Sequence, residues 1–289
     1  MGEGQSKSFF PKPWREINWG DKQSALQFVK NFKPHVEGQQ IRILLHGPVG
    51  AGKSSFINSV QSVLHGRIYT QVLADNTSGS SFTKKYTTYK IPKEDPQSFY
   101  PFVFNDIMGL EPIKGVHVDD INLALKGRVM DGYRFNPESK MSEKDPFYNS
   151  SPADNDKVHV LVCVIPASTV SQMDDKTVQK IRDIRMEASA LDIPQVAIVT
   201  KIDEICPEIT DNLQNVYKVK YMKEKMEQFS AEVGIPMTSI FPVKNYHEEI
   251  DINSDIDSLI LSALKHIITT GGDHVNFKKT QSECSGTWA

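Results

Sequence analysis

IRILLHGPVGAGKSS, residues 41–55, is the stretch whose reading decides the fold. Ile41, Ile43, Leu44 and Leu45 make a short apolar run, the signature of a buried strand. Glycines at 47, 50 and 52, then Lys53, Ser54 and Ser55, stand where that strand hands over to a helix. Gly47-Pro48-Val49-Gly50-Ala51-Gly52-Lys53-Ser54 satisfies G-x-x-x-x-G-K-[ST], and the strand before and helix after are the context the motif requires. Glycines let successive backbone N–H groups converge on phosphate oxygens with no side chain in the way. The helix opening near Lys53 aims its positive dipole end at the same point. Lys53 is the candidate catalytic lysine, reaching β- and γ-phosphates, and the Ser54 hydroxyl is a candidate Mg²⁺ ligand.

Outward from this loop, strands and helices alternate. Strands are expected at 86–91, 100–106, 158–166, 195–203 and 238–246, with helices over 21–32, 53–64, 118–130, 171–191, 211–232 and 253–270. The last helix has the cleanest stripe, Ile256, Leu259, Ile260, Ala263, Leu264, Ile267 and Ile268. The alternation predicts an α/β fold of the three-layer, GTPase-type P-loop NTPase kind. Its sheet is six-stranded and mostly parallel, with one antiparallel edge strand and helices on both faces. One domain is expected over 15–270, with a flexible segment at 1–14 and a disordered polar tail at 271–289.

Thr200-Lys201-Ile202-Asp203, at the carboxyl end of the fifth strand, chooses among bases. The pattern is [N/T]KxD: a carboxylate at Asp203 accepts both N1–H and the 2-amino group of guanine, donors that adenine lacks there, while the Lys201 stem lies along the base. A site built to pair such groups discriminates strongly, because its own polar atoms otherwise stay unsatisfied. Val243-Lys244-Asn245, after the sixth strand, occupies the place from which a backbone N–H meets the guanine oxygen. Asp106-Ile107-Met108-Gly109 fits D-x-x-G, with Asp106 holding Mg²⁺ through water and the Gly109 amide touching the γ-phosphate. Thr83, in the Ser/Gly-rich stretch before the second strand, is the candidate threonine that closes on Mg²⁺, with Thr77 second. The expected ligands are therefore GTP or GDP with Mg²⁺.

Two departures bear on hydrolysis. Leu110 follows the D-x-x-G glycine, where small GTPases carry a water-orienting glutamine. Val49 stands where glycine is common and would crowd an arginine finger, a device giving about 10³–10⁵ in rate. Slow hydrolysis is expected, or a nucleotide-binding scaffold with negligible hydrolysis, with a partner or a second copy across the nucleotide completing the site.

Residues PWREINW (13–19), LLHGPVGAGKSSFINSVQSVLHG (44–66), KKYTTYKI (84–91), GYRFNP (132–137) and SALKHII (262–268) give the chain a further likeness. Over about 12–270 it resembles the interferon-induced protein 44 and 44-like family. The resemblance implies a P-loop GTPase-like domain, a cytoplasmic location and an interferon-inducible role in antiviral innate immunity. Larger members carry an extra amino-terminal domain, for which 289 residues are too few. Some members look degraded at the guanine motif, whereas TKID is intact here.

Bulk properties agree with an intracellular, soluble protein. Net charge is −3, against a nucleic-acid or anionic-membrane partner driven by bulk charge. The 3 cysteines are far apart and lack metal-ligand spacing, which fits a reducing compartment. Neither a membrane-spanning run nor a signal peptide is visible; MGEGQS matches a loose myristoylation pattern at Gly2, which acidic Glu3 disfavours. His46 reads as structural. Residues 111–157 form an insertion, in which Phe135, Phe147 and Tyr148 either pack on the domain or present a surface to a protein effector or second copy.

Overall fold

A computed structural model describes residues 9–70, 85–95, 97–111 and 115–286. Strands β1 (Ile41–His46), β2 (Thr87–Pro92), β3 (Phe99–Asp106), β4 (Val160–Pro166), β5 (Gln195–Thr200) and β6 (Ile240–Pro242) form one sheet. Its order is β2-β3-β1-β4-β5-β6. β2 runs antiparallel to β3 at one edge and every other pairing is parallel. The helices are α1 (Lys22–Asn31), α2 (Lys53–His65), α3 (Val118–Leu125), α4 (Asp175–Ala190), α5 (Pro207–Asp211), α6 (Lys220–Val233) and α7 (Ser254–Gly286).

All seven β4 side chains are buried, as a strand covered on both faces requires. Register brings the carboxyl ends of the central strands to one edge: Leu45 lies opposite Asp106, His46 opposite Cys163, and Pro166 opposite Thr200. β1 connects outward to β3 and β4 on its two sides, so strand order reverses there. In open α/β sheets that crevice is where ligands bind.

Four expectations are corrected. Residues 9–14 are not loose: Phe9 bridges Val219, and the Phe10 and Trp14 amides donate to the Lys218 and Tyr217 carbonyls at 2.7 and 3.0 Å. Arg15 fastens this segment, donating to the Ile240 carbonyl at 2.6 Å and to the Met237 carbonyl, with its guanidinium 4.9 Å from the Trp14 ring centre. Residues 1–8 lie outside the described residues, and so does Gly2.

The polar stretch 271–286 continues α7 rather than forming a disordered tail. Its glycine pair does not stop the helix, and Gly271 serves a close approach while Gly272 packs at ordinary distance. A Cβ on Gly271 would sit 2.5 Å from Ile41 Cγ2, and one on Gly272 would sit 3.4 Å from Phe32. Val275 is buried and Lys278 pairs with Asp192 at 2.8 Å, holding the extension down.

The sixth strand shrinks to the three residues Ile240–Pro242 at the sheet edge, and beyond them the Val243 amide still donates to the Val199 carbonyl at 2.8 Å before the chain turns into a loop. The helix expected over 211–232 begins only at Lys220; before it lie α5, with Pro207 in its first turn, and a turn capped by the Asn212 side chain.

Of the insertion's three candidate aromatics, Phe135 is buried and Tyr148 half-buried. Tyr133 is buried too, and just ahead of β2 the Tyr86 amide donates to the Tyr133 carbonyl and the Gly132 amide to the Tyr86 carbonyl, both at 2.8 Å. GYRFNP and the described part of KKYTTYKI, from Lys85 on, are thus neighbours in space, with Lys85 bridging Arg134. Phe147 stays exposed.

Candidate functional site

Gly47 turns the chain out of β1 with φ +141°, and a Cβ there would lie 2.0 Å from the Val164 carbonyl oxygen. Gly52 precedes α2 at φ +88°, where a Cβ would lie 2.8 Å from Asn245 Nδ2. Both positions favour glycine for their dihedral, and Gly47, facing backbone, requires it for space as well. The Phe56 amide donates to the Gly52 carbonyl at 2.8 Å, closing the first helical turn. The N–H groups of that first turn lack intrahelical partners by geometry, which makes the loop receptive to an anion.

Lys53 is nearly buried, its ammonium donating to the Gly47 and Pro48 carbonyls at 3.2 and 3.1 Å. Ser54 Oγ donates to Asp106 Oδ2 at 2.5 Å. A hydroxyl and a carboxylate this close form an oxygen donor pair of the kind a hard divalent cation uses, so the residues fit Mg²⁺. Thr83 and Thr77 lie outside the described residues.

The D-x-x-G segment is pressed onto the loop. A Cβ on Gly109 would meet Val49 Cγ2 at 2.5 Å and the Val49 nitrogen at 2.8 Å. The Leu110 amide donates to the Gly47 carbonyl at 2.9 Å, and Leu110 itself is buried. An apolar side chain fastened in this way neither polarises nor orients a water molecule.

The T-K-I-D loop is tied to the same place. Thr200 Oγ1 donates to the Ala51 carbonyl at 2.6 Å, and Lys201 takes a left-handed φ of +55° as the chain turns away from β5. Lys201 pairs with Glu204 at 3.7 Å, and Asp203 Oδ2 with the Lys244 ammonium at 3.3 Å. Lys244 also meets Glu249 at 2.9 Å. Although burial opposes it, the His247 amide and the Lys244 ammonium hold the Glu249 carboxyl down at about 2. Asn245 donates to the Gly52 carbonyl at 3.2 Å, with its Oδ1 buried and without a hydrogen-bond partner among the described residues. The Tyr246 amide donates to Ser59 of α2 at 3.0 Å.

The candidate residues among those described therefore lie at the carboxyl ends of the strands: Gly47, Val49, Gly50, Ala51, Gly52, Lys53, Ser54 and Ser55 in and beside the loop after β1, Asp106 at the end of β3 and Gly109 just after it, Thr200 at the end of β5 with Lys201 and Asp203 after it, and Lys244 and Asn245 after β6. Sequence reading missed Glu249, the second partner of Lys244. It sits in an irregular loop where no periodicity singles it out.

His46 is buried behind the loop, and burial followed by the Lys53 charge pushes its pKa down to about 3. Burial, then the charges of His274 and Arg42, pushes His159 down to about 4. Between these values and the ordinary 6.5, the unfolded chain binds the extra protons, so stability rises with pH. It is complete above about pH 6.5 and is lost as pH falls toward 4, with a slope of up to about 1.4 kcal/mol per pH unit per histidine. Urea midpoints from pH 7 to 4 should therefore fall less steeply in His46→Gln than in the parent; equal slopes would contradict the burial argument.

A glycine loop between β1 and α2, a D-x-x-G turn after β3 and a T-K-I-D turn after β5, on this strand order, define a three-layer P-loop NTPase fold of the GTPase type. No family model matches the sequence. The chain is 34% identical over 251 residues to interferon-induced protein 44 of Mus musculus, covering 86% of this chain and 59% of that protein. It is 30% identical over 248 residues to the human interferon-induced protein 44-like, covering 85% and 55%. Over those residues the chain is a homologue of the interferon-induced protein 44 and 44-like proteins, and it spans a little over half the length of the curated relatives it matches. Among solved structures, Toc33 from Arabidopsis thaliana in complex with GDP and Mg²⁺ aligns over 88% of this chain and 96% of its own. Its TM-score is 0.49 at 14% identity, so the fold assignment rests on strand order and loop placement.

Proposed function

We propose that this chain binds guanine nucleotides, GTP or GDP with Mg²⁺, and acts in the interferon-induced antiviral response in the cytoplasm. The observation that supports this most is the 2.6 Å bond from Thr200 Oγ1 to the Ala51 carbonyl. It ties the base of the T-K-I-D turn to the phosphate loop, which supports a reading in which the carboxylate that would read the base and the amides that would hold the phosphates serve one ligand. Backbone amides around Gly50 and Gly52 would bind the phosphates, with Lys53 giving up its two carbonyl contacts to neutralise them. Ser54 and Asp106 would hold Mg²⁺, which supplies charge neutralisation at the phosphate oxygens when bound.

Hydrolysis is slow in this reading, with Thr83 and Lys53 as the catalytic candidates. The buried Leu110 favours a second reading, a nucleotide-dependent interaction scaffold with negligible turnover, working through a homodimer or a protein effector. Affinities for GDP, GTP and ATP by calorimetry, with single-turnover GTP hydrolysis, test both. Lys53→Ala should weaken every nucleotide about a hundredfold or more, by removing a charge-assisted phosphate contact and the loop's own tether. A parent protein that binds none of the three would end the proposal; one that prefers ATP would end its guanine part.

A further inference from the structure

At the opposite edge of the sheet from the glycine loop lies a recess of about 650 Å³. The insertion, the end of α4 and the far part of α7 form its walls. Leu125, Val158, Ile193 and Val275 contribute buried apolar surface. Around them stand Lys126, Arg128, Lys157, Lys278 and Lys279, with Asp154 as the one carboxylate of the lining. The chain as a whole carries 33 lysines and arginines against 36 acids, so this local excess departs sharply from the average.

Pairing removes part of the charge but not the excess. Lys157 meets Asp154 at 2.8 Å, Lys278 meets Asp192 at 2.8 Å, and Lys279 reaches Glu283 at 3.9 Å. Among the described residues Arg128 donates to neutral oxygens, the Tyr148 hydroxyl at 3.0 Å and the Ser150 carbonyl at 3.2 Å, and makes no ion pair. Lys126 is exposed and makes no ion pair among the described residues. Five cations thus face three carboxylates even when the partners outside the recess are included. Two imidazoles, His159 and His274, stand in the same wall with ring centres 6.5 Å apart. Burial first, and then neighbouring positive charge, lowers the pKa of each, as a recess with a positive field would do.

We propose that this recess is a second binding site, for a small anion with an apolar body, of the alkyl phosphate class. The volume is that of an ordinary ligand pocket. The floor takes the hydrocarbon, while Lys126 and Arg128 at the rim meet the head group. The proposal does not rest on nucleotide binding at the other edge.

Calorimetric titration of the full chain with octyl phosphate tests the proposal, alongside proton NMR of the His159 and His274 ring resonances. Saturable binding that shifts both rings is expected. Affinity should fall about tenfold or more in Lys126→Glu combined with Arg128→Glu, from the loss of charge-assisted bonds. Lys53→Ala should leave it unchanged, which separates this site from the glycine loop. Should the double variant not fold, Lys126→Glu alone, at an exposed position, should still weaken binding severalfold. Absence of saturable binding overturns the proposal, as does equal affinity for octanol, or affinity lost in Lys53→Ala and kept in the rim variants. A last arm identifies the source of the anion. Cosedimentation with phosphatidylcholine vesicles carrying phosphatidic acid, abolished by the rim variants, points to a lipid head group; octyl phosphate binding without cosedimentation points to a soluble molecule. Either result supports the site.

Discussion

Gly47→Ala should be among the most damaging single-methyl additions in this chain. Two separate penalties fall on it. Its φ of +141° lies in a region that side-chain-bearing residues rarely adopt, and the new Cβ would sit 2.0 Å from the Val164 carbonyl oxygen. That oxygen is backbone of a fully buried central strand, so it cannot swing aside as a flexible side-chain end could. The loop must therefore leave β4, taking with it the carbonyl that accepts from Lys53 and from the Leu110 amide. A loss of about 3 kcal/mol or more is expected in urea unfolding, in the range of a strained position combined with lost buried hydrogen bonds. Gly50→Ala is the internal control. Its φ is also positive, +70°, but its Cβ would meet nothing within 4 Å. Only the left-handed penalty of about 1–2 kcal/mol applies there. If the two variants unfold at the same urea concentration, the close approach of loop to strand is wrong.

Asp203→Asn should erase the preference for guanine while leaving the phosphate end intact. An ionised carboxylate accepting from two base donors contributes about 1.5–3 kcal/mol for each bond. An amide keeps one acceptor and turns a donor toward a base donor. GDP affinity should fall about a hundredfold or more, while ADP affinity stays where it was. The ion pair between Asp203 and Lys244 could mimic such a loss by loosening the loop, and Lys244→Met separates the causes. It removes the same pair, at 3.3 Å, but keeps the carboxylate. A carboxylate that reads the base leaves Lys244→Met with most of its selectivity; equal loss in both variants would reduce Asp203 to a structural role.

Much of this arrangement was legible in the residues, for reasons of chain length and period. Alternating apolar runs and amphipathic helices are local patterns, so β1, β3, β4, β5 and the start of α7 could be placed without knowing their neighbours. The glycine loop and the two turns are short motifs at strand ends, and a parallel sheet aligns those ends by itself. What escaped depends on contacts distant in sequence. Gly271 and Gly272 look like punctuation until Ile41 and Phe32 are seen beneath them. The docking of 9–14 requires the carbonyls of Tyr217 and Lys218, some two hundred positions away. The pairing of Tyr86 with Tyr133, and the Glu249 partner of Lys244, arise in irregular segments with no period to read. The role of Asn245 was half legible: the position lies beside the cleft, but its side chain braces the Gly52 carbonyl.

The unbroken course of α7 has a mechanical consequence. At 33 residues it is about 50 Å long. Its first turns grip the segment after β6, where Asp257 accepts from the Tyr246 hydroxyl at 2.6 Å, next to the residue that braces Gly52. Its far turns wall the basic recess. A continuous helix of this length behaves as a strut rather than a hinge. Any displacement imposed on one end arrives at the other as translation or tilt, so the two edges of the sheet share a single moving part.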